Sequence, residues 1–189
     1  MMLKKVYLPL FLLISLLIGC KSSPEPRYPK SHKSGSFMKE SAERNKKLAK
    51  REHASILDII EKDSTVTYYN SPDGFWYTYK TKNENDSITP TFGDKVVFEY
   101  DILSLDGDTI YTKEEIGETI YYIDQERMIT GIRQGLQLMK ENESVTFLFP
   151  SFKAFGFYGD LDRIGSDEPI ISNVTLKTIE QKSKISENE

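Results

Sequence analysis

The chain has 189 residues, of which 38% are hydrophobic and 29% are charged, a balance typical of a soluble domain and unlike that of a membrane-helix bundle. This length leaves room for one compact domain with extensions. Residues 54–189 carry 13 Lys or Arg against 25 Asp or Glu, and an acidic domain would repel phosphate, so we expect no nucleic-acid partner.

The first twenty residues have the pattern of a secretory signal. Lys4 and Lys5 precede an apolar run of 13 residues, which is too short to cross a hydrocarbon core of ~30 Å as a helix but has the size of the apolar region of a signal peptide. The run ends in Leu-Ile-Gly-Cys, and Cys20 is the only cysteine of the chain. This ending resembles a bacterial lipobox, in which the cysteine is acylated and becomes the first mature residue. We therefore expect residues 1–19 to be a lipoprotein signal peptide; the alternative is an ordinary cleaved signal, or a short membrane anchor, with an accidental cysteine.

Residues 20–35 are predicted to form a flexible tether, because Pro24, Pro26 and Pro29 alternate with serine and lysine and no apolar period appears. Residues 21–53 contain ten Lys or Arg and four Asp or Glu, net +6. Such a basic arm could contact anionic lipid head groups or an acidic partner, although a solvated surface is the simpler interpretation. Lys21 follows the cysteine in place of an aspartate that would retain a lipoprotein in the inner membrane. We therefore expect a lipid-anchored protein of the cell envelope, in the outer membrane and facing the periplasm.

Residues 36–63 are predicted to form an N-terminal helix, with Ser36 as its cap and the helix proper over residues 37–62. The second half has apolar residues at helical spacing, and the first half is mostly charged. We expect the helix to pack on the domain only at its C-terminal end. Binding of a partner by the charged half is the alternative to a solvated surface there.

From residue 64 onward the apolar period becomes alternating. Residues 64–90 predict a β-hairpin, because TVTYY and GFWYTYKT flank the turn sequence NSPDG. Residues 91–180 contain further predicted strands, in VVFEYDIL, in TIY after an Asp-Gly turn, and in TIYYID, SVTFLFP and PIISNVTLKTIE. Residues 181–189 are too polar to pack and predict a disordered tail.

One amphipathic helix interrupts this series of strands. The segment MITGIRQGLQLM places Met128, Ile132, Leu136 and Met139 at helical spacing. The elements predict an α+β fold, a twisted antiparallel sheet half-wrapped around one short helix, which is the only local cover for a sheet face. A gap where helix and sheet edges meet would form a shallow pocket lined by aromatic side chains.

Four motifs of this region together resemble the FKBP-type peptidyl-prolyl isomerases: VVFEYDILSLDGDTIY, MITGIRQGLQLMKENE, FPSFKAFG and EPIISNVTL. Their order and spacing agree with that family over residues 91–180, which implies an FKBP-like fold and isomerase activity. The segments SHKSGSFMKESAERNKKLAK and GFWYTYKTKNENDSITPTFGD, with the lipobox, are similar to FKBP-like isomerase lipoproteins associated with bacterial gliding motility.

The resemblance also implies which residues form the pocket. The catalytic positions would be Tyr100, Tyr111, Tyr121, Ile129 and Phe155, with the backbone N–H of Ile129 donating to a substrate carbonyl. The substrate-binding positions would be Met128, Ile132, Ile164, Ser172 and Thr112. Packing in the core is the simpler interpretation of each aromatic residue taken alone, so the interpretation as a pocket depends on the whole set.

Four of these positions depart from the family pattern. Ile132 stands where the family often has Trp, Phe155 where it usually has Tyr, Ser172 where Phe is common, and Thr112 where an acidic residue is usual. Ile132 would make the pocket floor shallower, Phe155 would remove a hydroxyl donor, and Thr112 would remove a carboxylate at the rim. Glu114 or Glu115 would replace that carboxylate in part. We therefore expect isomerase activity that is reduced relative to typical relatives.

The implied reaction needs no nucleophile, cofactor or metal ion. Rotation about a prolyl amide bond faces a barrier of ~18–20 kcal/mol from amide resonance, and a dry apolar pocket favours the less polar, twisted state. The sequence contains no GxSxG, HExxH or phosphate-loop motif. We therefore expect neither a cofactor nor a metal site.

Two functions remain open from the sequence. The first is a membrane-tethered prolyl isomerase that assists folding of envelope or secreted proteins and acts on proline-containing polypeptides. The second is a catalytically weak or inactive FKBP-fold module that binds a partner in a motility or secretion assembly of the envelope. The pocket aromatics favour the first, and Thr112, Ile132 and Phe155 favour the second.

Overall fold

The computed structural model describes residues 34–182. The predictions for the signal peptide, for Cys20, for nearly all of the tether and for most of the tail therefore lie outside the described residues. The chain divides into two units between Lys39 and Glu40, and all packing reported below belongs to the second unit. Between residues 34 and 182, none of the helices has both the length and the apolar character that a membrane span requires.

Three helices and eight strands make up the described chain. The helices are α1 (Ser34–Lys62), α2 (Lys113–Ile116) and α3 (Thr130–Leu136). The strands are β1 (Tyr69–Asn70), β2 (Trp76–Thr81), β3 (Lys95–Tyr100), β4 (Ile102–Leu103), β5 (Thr109–Tyr111), β6 (Thr119–Tyr122), β7 (Ser144–Phe149) and β8 (Ile170–Glu180). The segment between β7 and β8, residues 150–169, contains two 3-10 turns, Ser151–Lys153 and Gly156–Tyr158; we call this segment the flap.

The strands form one antiparallel sheet in the order β1-β2-β7-β8-β3-β6, with β4 beside β8 and β5 beside β4. The last of the described strands, β8, lies inside the sheet and pairs with both β7 and β3. The β1–β2 hairpin forms at the predicted turn, where the Ser71 N–H donates to the Phe75 carbonyl over 2.8 Å. Its first strand has only two residues. An antiparallel sheet with one short core helix and an N-terminal helix confirms the predicted fold class.

Helix α3 covers one face of the sheet and approaches it closely. A Cβ on Gly131 would lie 2.4 Å from a ring carbon of Phe149, and one on Gly135 would lie 2.8 Å from a ring carbon of Phe147. Glycine at these positions lets the helix backbone reach the strand. The predicted helix over residues 128–139 is shorter in the structure, because the Leu138 and Met139 amides bond three residues back and tighten the chain into a turn.

Helix α1 covers the opposite face of the sheet. Ile56 of α1 packs with Trp76 and Leu148, and all three are buried. Strand β7 was predicted to alternate between buried and exposed residues, but it is buried continuously from Val145 to Phe149. Both faces of the sheet are therefore covered, one by α3, the predicted local cover, and the other by α1.

Two details of α1 differ from the prediction. The helix begins at Ser34, so Ser36 lies inside it and is not its cap. Contacts with the domain also extend beyond its C-terminal end, because Glu52 is buried against Ser151 and Arg44 forms an ion pair with Asp167. The charged half of the helix is therefore partly engaged with the flap.

Candidate functional site

The predicted pocket residues meet where β3, β5, the start of α3 and the flap border one apolar cluster. Only Thr112 and Ser172 are not part of that cluster. Its buried members from the predicted set are Tyr121, Ile132 and Ile164, and the half-buried residues that pack against it are Tyr100, Tyr111, Met128, Ile129 and Phe155. The structure therefore brings together residues that are up to 64 positions apart in the sequence.

Tyr100 is the aromatic residue that strand β3 presents to the candidate site. Its ring stacks on that of Phe98, with 5.5 Å between the ring centroids and 24° between the planes. Phe98 is fully buried, whereas Tyr100 is only half-buried. Burial raises the pKa of the Tyr100 hydroxyl. The outer face of the stack is thus an apolar wall of the candidate site.

Ile129 provides the backbone donor at the entry to α3. It has φ −51° and ψ 125°, outside helical values, and its carbonyl accepts the Arg133 N–H at 3.0 Å. Its own N–H has no protein acceptor within residues 34–182. A half-buried amide without a partner is suited to bind a carbonyl of a bound chain.

Phe155 lies between the two turns of the flap and packs half-buried on the apolar cluster. The flap is also tied to α3, because the Lys153 ammonium donates to the Gln134 side-chain oxygen over 2.7 Å. Phe155 therefore belongs to a segment anchored on the helix that forms the other side of the site. Its ring offers apolar surface but no hydroxyl donor.

Tyr111 connects the sheet to the flap through its hydroxyl. The hydroxyl donates to the Asp160 carboxylate and lies 3.3 Å from a carboxylate oxygen of Asp162. The Arg163 guanidinium lies 4.6 Å from the centre of the Tyr111 ring, within cation–π range. The hydrogen bond to Asp160, together with burial and the two carboxylates, raises the pKa of Tyr111 to about 12.

Asp160 also receives hydrogen bonds within the flap. Its Oδ1 accepts the N–H of Asp162 at 2.9 Å and that of Ile164 at 2.8 Å. Burial by itself raises the pKa of a carboxyl group, but these donors and the Tyr111 hydroxyl outweigh it and lower the pKa of Asp160. The ionised carboxylate therefore holds this part of the flap in a closed turn.

Thr112 has a local structural role at the rim. It caps α2, accepting the Glu115 N–H at 3.2 Å while the Glu115 carboxylate accepts the Thr112 N–H at 2.9 Å. Glu115 also pairs with Arg163 at 3.0 Å, and the bond from the Thr112 amide, followed by that from Arg163, lowers the pKa of Glu115. The carboxylate near the rim is therefore that of Glu115, and Thr112 orients it.

Three predicted site residues are closed off from solvent. Tyr121 is 1% exposed, and Ile132 and Ser172 are 0% exposed. The Tyr121 hydroxyl accepts the Asp124 N–H at 3.1 Å, and the Ser172 hydroxyl donates to the Asp101 carbonyl at 2.7 Å. Each of the three is enclosed by its neighbours in this structure, and their predicted roles in catalysis and substrate binding stay predictions. Their contribution in this structure is to the packing behind the half-buried residues of the site.

The sequence analysis missed three polar residues that shape the site: Glu52, Asp160 and Arg163. Asp160 and Arg163 belong to a charged run, GDLDR, to which the sequence analysis assigned no role. Glu52 lies four residues after Leu48 and four before Ile56, so a carboxylate on the apolar stripe of α1 was the available signal. No group of three or more His, Cys, Asp or Glu within residues 34–182 is placed to hold a metal ion.

Comparison with known proteins finds similarity in sequence and in fold. A family model described as FKBP-type peptidyl-prolyl cis-trans isomerase matches residues 86–177. The probable FKBP-type peptidyl-prolyl cis-trans isomerase FkpA of Neisseria meningitidis serogroup B is 30% identical over 101 residues, which are 53% of this chain and 37% of that protein. The chain thus spans little more than a third of the length of this curated relative.

Two crystal structures share the fold. A peptidyl-prolyl cis-trans isomerase from Pseudomonas syringae pv. tomato superposes with a TM-score of 0.57 at 20% identity, covering 72% of this chain and 96% of that chain. FkpA from Escherichia coli gives a TM-score of 0.57 at 18% identity, covering 95% of this chain and 84% of that chain. At these identities the likeness concerns the fold alone, and the family match of the sequence agrees with it. Residues 86–177 are therefore similar in sequence to the FKBP-type peptidyl-prolyl cis-trans isomerase family, and the fold agrees with that similarity.

Proposed function

We propose that this chain is a membrane-anchored peptidyl-prolyl cis-trans isomerase that assists the folding of cell-envelope or secreted proteins. The observation that carries the proposal is the family match over residues 86–177. Its substrates would be proline-containing polypeptides. The activity is assigned by family, and the arrangement of Tyr100, Ile129 and Phe155 supports it.

The geometry suggests how such a site lowers the barrier. An apolar wall from Tyr100 on one side and Phe155 on the other excludes water from a bound prolyl bond. A twisted amide has less charge separation than a planar one, so an apolar surrounding favours it. The free N–H of Ile129 holds the substrate carbonyl and orients the chain. No side chain needs to gain or lose a proton in this mechanism.

Anchoring and cellular role form the finer part of the proposal. The lipobox-like ending at Cys20 supports attachment of lipid chains, each buried CH₂ of which contributes ~0.8 kcal/mol to membrane binding. The resemblance of the N-terminal segments to isomerase lipoproteins of gliding bacteria supports a link with motility. We place the protein in the outer membrane, facing the periplasm, because Lys21 follows Cys20.

A second candidate function is a binding module with little or no catalysis. Two observations favour it: Phe155 lacks a hydroxyl, and the Tyr111 hydroxyl already binds the flap carboxylate Asp160. Such a module would bind a partner protein of an envelope assembly without accelerating the isomerisation of its prolyl bonds. Catalytic turnover separates the two functions.

A protease-free isomerisation assay on the full chain in detergent tests the proposal, with a proline-containing peptide as substrate. We expect the protein to accelerate cis–trans exchange above the spontaneous rate. Phe155→Ala should reduce kcat/KM by about tenfold or more through lost apolar contact. The matched control is Phe152→Ala on the same flap, whose side chain is 58% exposed and should leave kcat/KM unchanged. A parent protein that binds the peptide without accelerating exchange would contradict the enzyme and favour the binding module.

A further inference from the structure

We propose that helix α1 positions the flap of the candidate site and that Glu52 is its principal positioning residue. Glu52 lies outside the residues matched by the family model, and its effect on catalysis rests on the proposed function. Its effect on the flap does not. The helix would thus be a working part of the isomerase domain as well as a covering layer.

The contact begins with a buried carboxylate. Glu52 is 3% exposed and Ser151 is 2% exposed. One carboxylate oxygen of Glu52 accepts the Ser151 N–H at 2.9 Å, and the other accepts the Ser151 hydroxyl at 2.7 Å. Removing a carboxylate from water is unfavourable unless hydrogen bonds replace the lost solvation. Both oxygens are therefore committed to one residue, 99 positions away, at the start of the flap.

The hydrogen bonds that follow carry the position of Ser151 toward Phe155. The Lys153 and Ala154 amides donate to the Pro150 carbonyl at 2.9 and 3.2 Å, and the Ala154 amide also donates to the Ser151 carbonyl at 3.0 Å. Phe155 is the next residue. Fixing the backbone of Ser151 therefore fixes the first turn of the flap and the point from which the Phe155 ring projects.

A second contact holds the far side of the flap. Arg44 pairs with Asp167 and lies 5.0 Å from the centre of the Phe157 ring. The Asp167 N–H donates to the Gly156 carbonyl at 2.9 Å. The Arg44 side chain is 53% exposed, so solvent screens this pair and it contributes less than the Glu52 contact.

Between these two contacts the helix and the flap do not pack tightly. A cleft of about 540 Å³ separates them, lined in part by Leu48, Ala49 and Phe152. The flap is thus held by α1 through polar contacts at two points and not by a continuous apolar interface. Loss of the Glu52 contact should therefore loosen the flap selectively, while the sheet keeps its own core.

The experiment compares Glu52→Ala with Glu52→Gln and with Glu43→Ala, a control at an exposed position of the same helix. Amide hydrogen exchange and isomerisation kinetics are measured on the full chain in detergent. In Glu52→Ala we expect exchange at residues 151–157 to accelerate at least about tenfold, since a hydrogen bond to a charged group is lost. Exchange in β3 and β8 should stay at the parent level.

Kinetics supply the second readout. A loosened flap has to be ordered again by each bound substrate, so KM should rise about tenfold while kcat stays near the parent value. Glu52→Gln keeps an oxygen acceptor for the Ser151 N–H and should stay within about threefold of the parent. Ser151→Ala, which removes only the hydroxyl partner, should lie between the two Glu52 variants and serves if Glu52→Ala fails to fold.

Two outcomes would overturn the proposal: unchanged exchange in the flap of Glu52→Ala, or exchange that accelerates equally in the flap and the central strands with KM unchanged. The second result would make Glu52 a stabilising residue only. A parent protein without isomerase activity would contradict the proposed function instead. In that case flap exchange alone decides whether Glu52 positions the flap.

Discussion

At the residue scale, Tyr111 illustrates how one side chain can serve two purposes. Its ring packs on the apolar cluster, as the resemblance to isomerases implies, while its hydroxyl binds Asp160 of the flap. The sequence indicates the ring, because an aromatic residue after an Asp-Gly turn is part of a recognisable pattern. The hydroxyl contact joins residues 49 positions apart, and only the folded flap brings them together.

Replacing the Asp160 carboxylate should change the titration of Tyr111. The pKa of Tyr111 is raised from 10.0 to about 12 in the folded protein, so the folded state holds the phenol proton more tightly than the unfolded chain does. The resulting stabilisation is complete below pH about 10 and is lost as the pH rises toward 12. Asp160→Asn should return the Tyr111 pKa toward 10. The pKa of Tyr111 is measured from tyrosinate absorbance, as the difference between Asp160→Asn and the double variant Asp160→Asn/Tyr111→Phe. If the pKa of Tyr111 in Asp160→Asn is still near 12, Asp160 is not the cause of the raised value.

Phe155→Tyr should raise turnover if the missing hydroxyl limits catalysis. The added group supplies a donor for a substrate carbonyl, and such a hydrogen bond contributes a net ~0.5–1.5 kcal/mol, so kcat/KM should rise a few-fold to about tenfold. Isomerisation kinetics measure the change. Phe152→Tyr, which adds the same hydroxyl at an exposed position of the flap, should have no effect. Equal gains from both variants would rule out a specific donor role for position 155.

Tyr100→Leu separates a role in the site from a role in the core. The leucine keeps much of the apolar volume, so the free energy of unfolding should fall by only about 1–2 kcal/mol, while kcat/KM should fall sharply because the outer face of the ring stack is lost. The matched control is Phe98→Leu at the buried ring of the same stack, which should lower stability by about 1–3 kcal/mol and keep activity in the folded fraction. Chemical denaturation and kinetics on both variants test this. If Tyr100→Leu keeps full activity, Tyr100 is a core residue only.

At the scale of elements, local patterns predict what a segment forms better than what covers it. The apolar spacing of residues 128–139 predicts a core helix, and one forms over Thr130–Leu136. The continuous burial of β7 depends on α1, which is more than 80 residues earlier in the chain. Leu148 alone therefore does not predict that a helix covers it, since single apolar residues are common on protein surfaces.

Gly131→Ala should destabilise the protein despite improving helix propensity. Alanine is favoured over glycine in a helix by about 1 kcal/mol, but its Cβ would lie 2.4 Å from a ring carbon of Phe149, and overpacking of this kind costs about 1–3 kcal/mol. Thermal and chemical unfolding measure the net loss. Adding Phe149→Leu removes the ring that collides, so the double variant should be more stable than the sum of the single changes predicts. Strict additivity would show that the close approach is not the cause.

At the scale of the whole molecule, the order of the motifs predicts the fold and the resemblance to a family. It does not predict whether each site residue is half-buried or fully enclosed. Tyr100, Ile129 and Phe155 are half-buried and pack against the apolar cluster. Tyr121 and Ser172 are fully enclosed instead: Tyr121 lies inside the same apolar cluster, and Ser172 is on the buried face of β8 with its hydroxyl bonded to the Asp101 carbonyl. Burial on that scale depends on every neighbouring strand and cannot be inferred from a motif.

The membrane anchor is a property of the whole molecule that one substitution tests. Cys20→Ser removes the only thiol of the chain, so the precursor should be neither acylated nor cleaved after Gly19. Electrophoretic size and partitioning into a detergent phase measure the two effects. A serine variant of mature size that still partitions with detergent would contradict the assignment of Cys20 as the lipid attachment point.

The position of β8 in the sheet has a consequence for folding during synthesis on the ribosome. Strand β8 is the last strand of residues 34–182 to be synthesised, yet it pairs with both β7 and β3. A nascent chain that stops before Ile170 has three separate groups of strands, β1-β2-β7, β3-β6 and β4-β5, and no strand to join them. With elongation at about 5–20 residues per second, most of the synthesis time passes before the sheet can close. The sheet therefore closes only after Ile170–Glu180 has been synthesised, and until then the three groups of strands have no common partner.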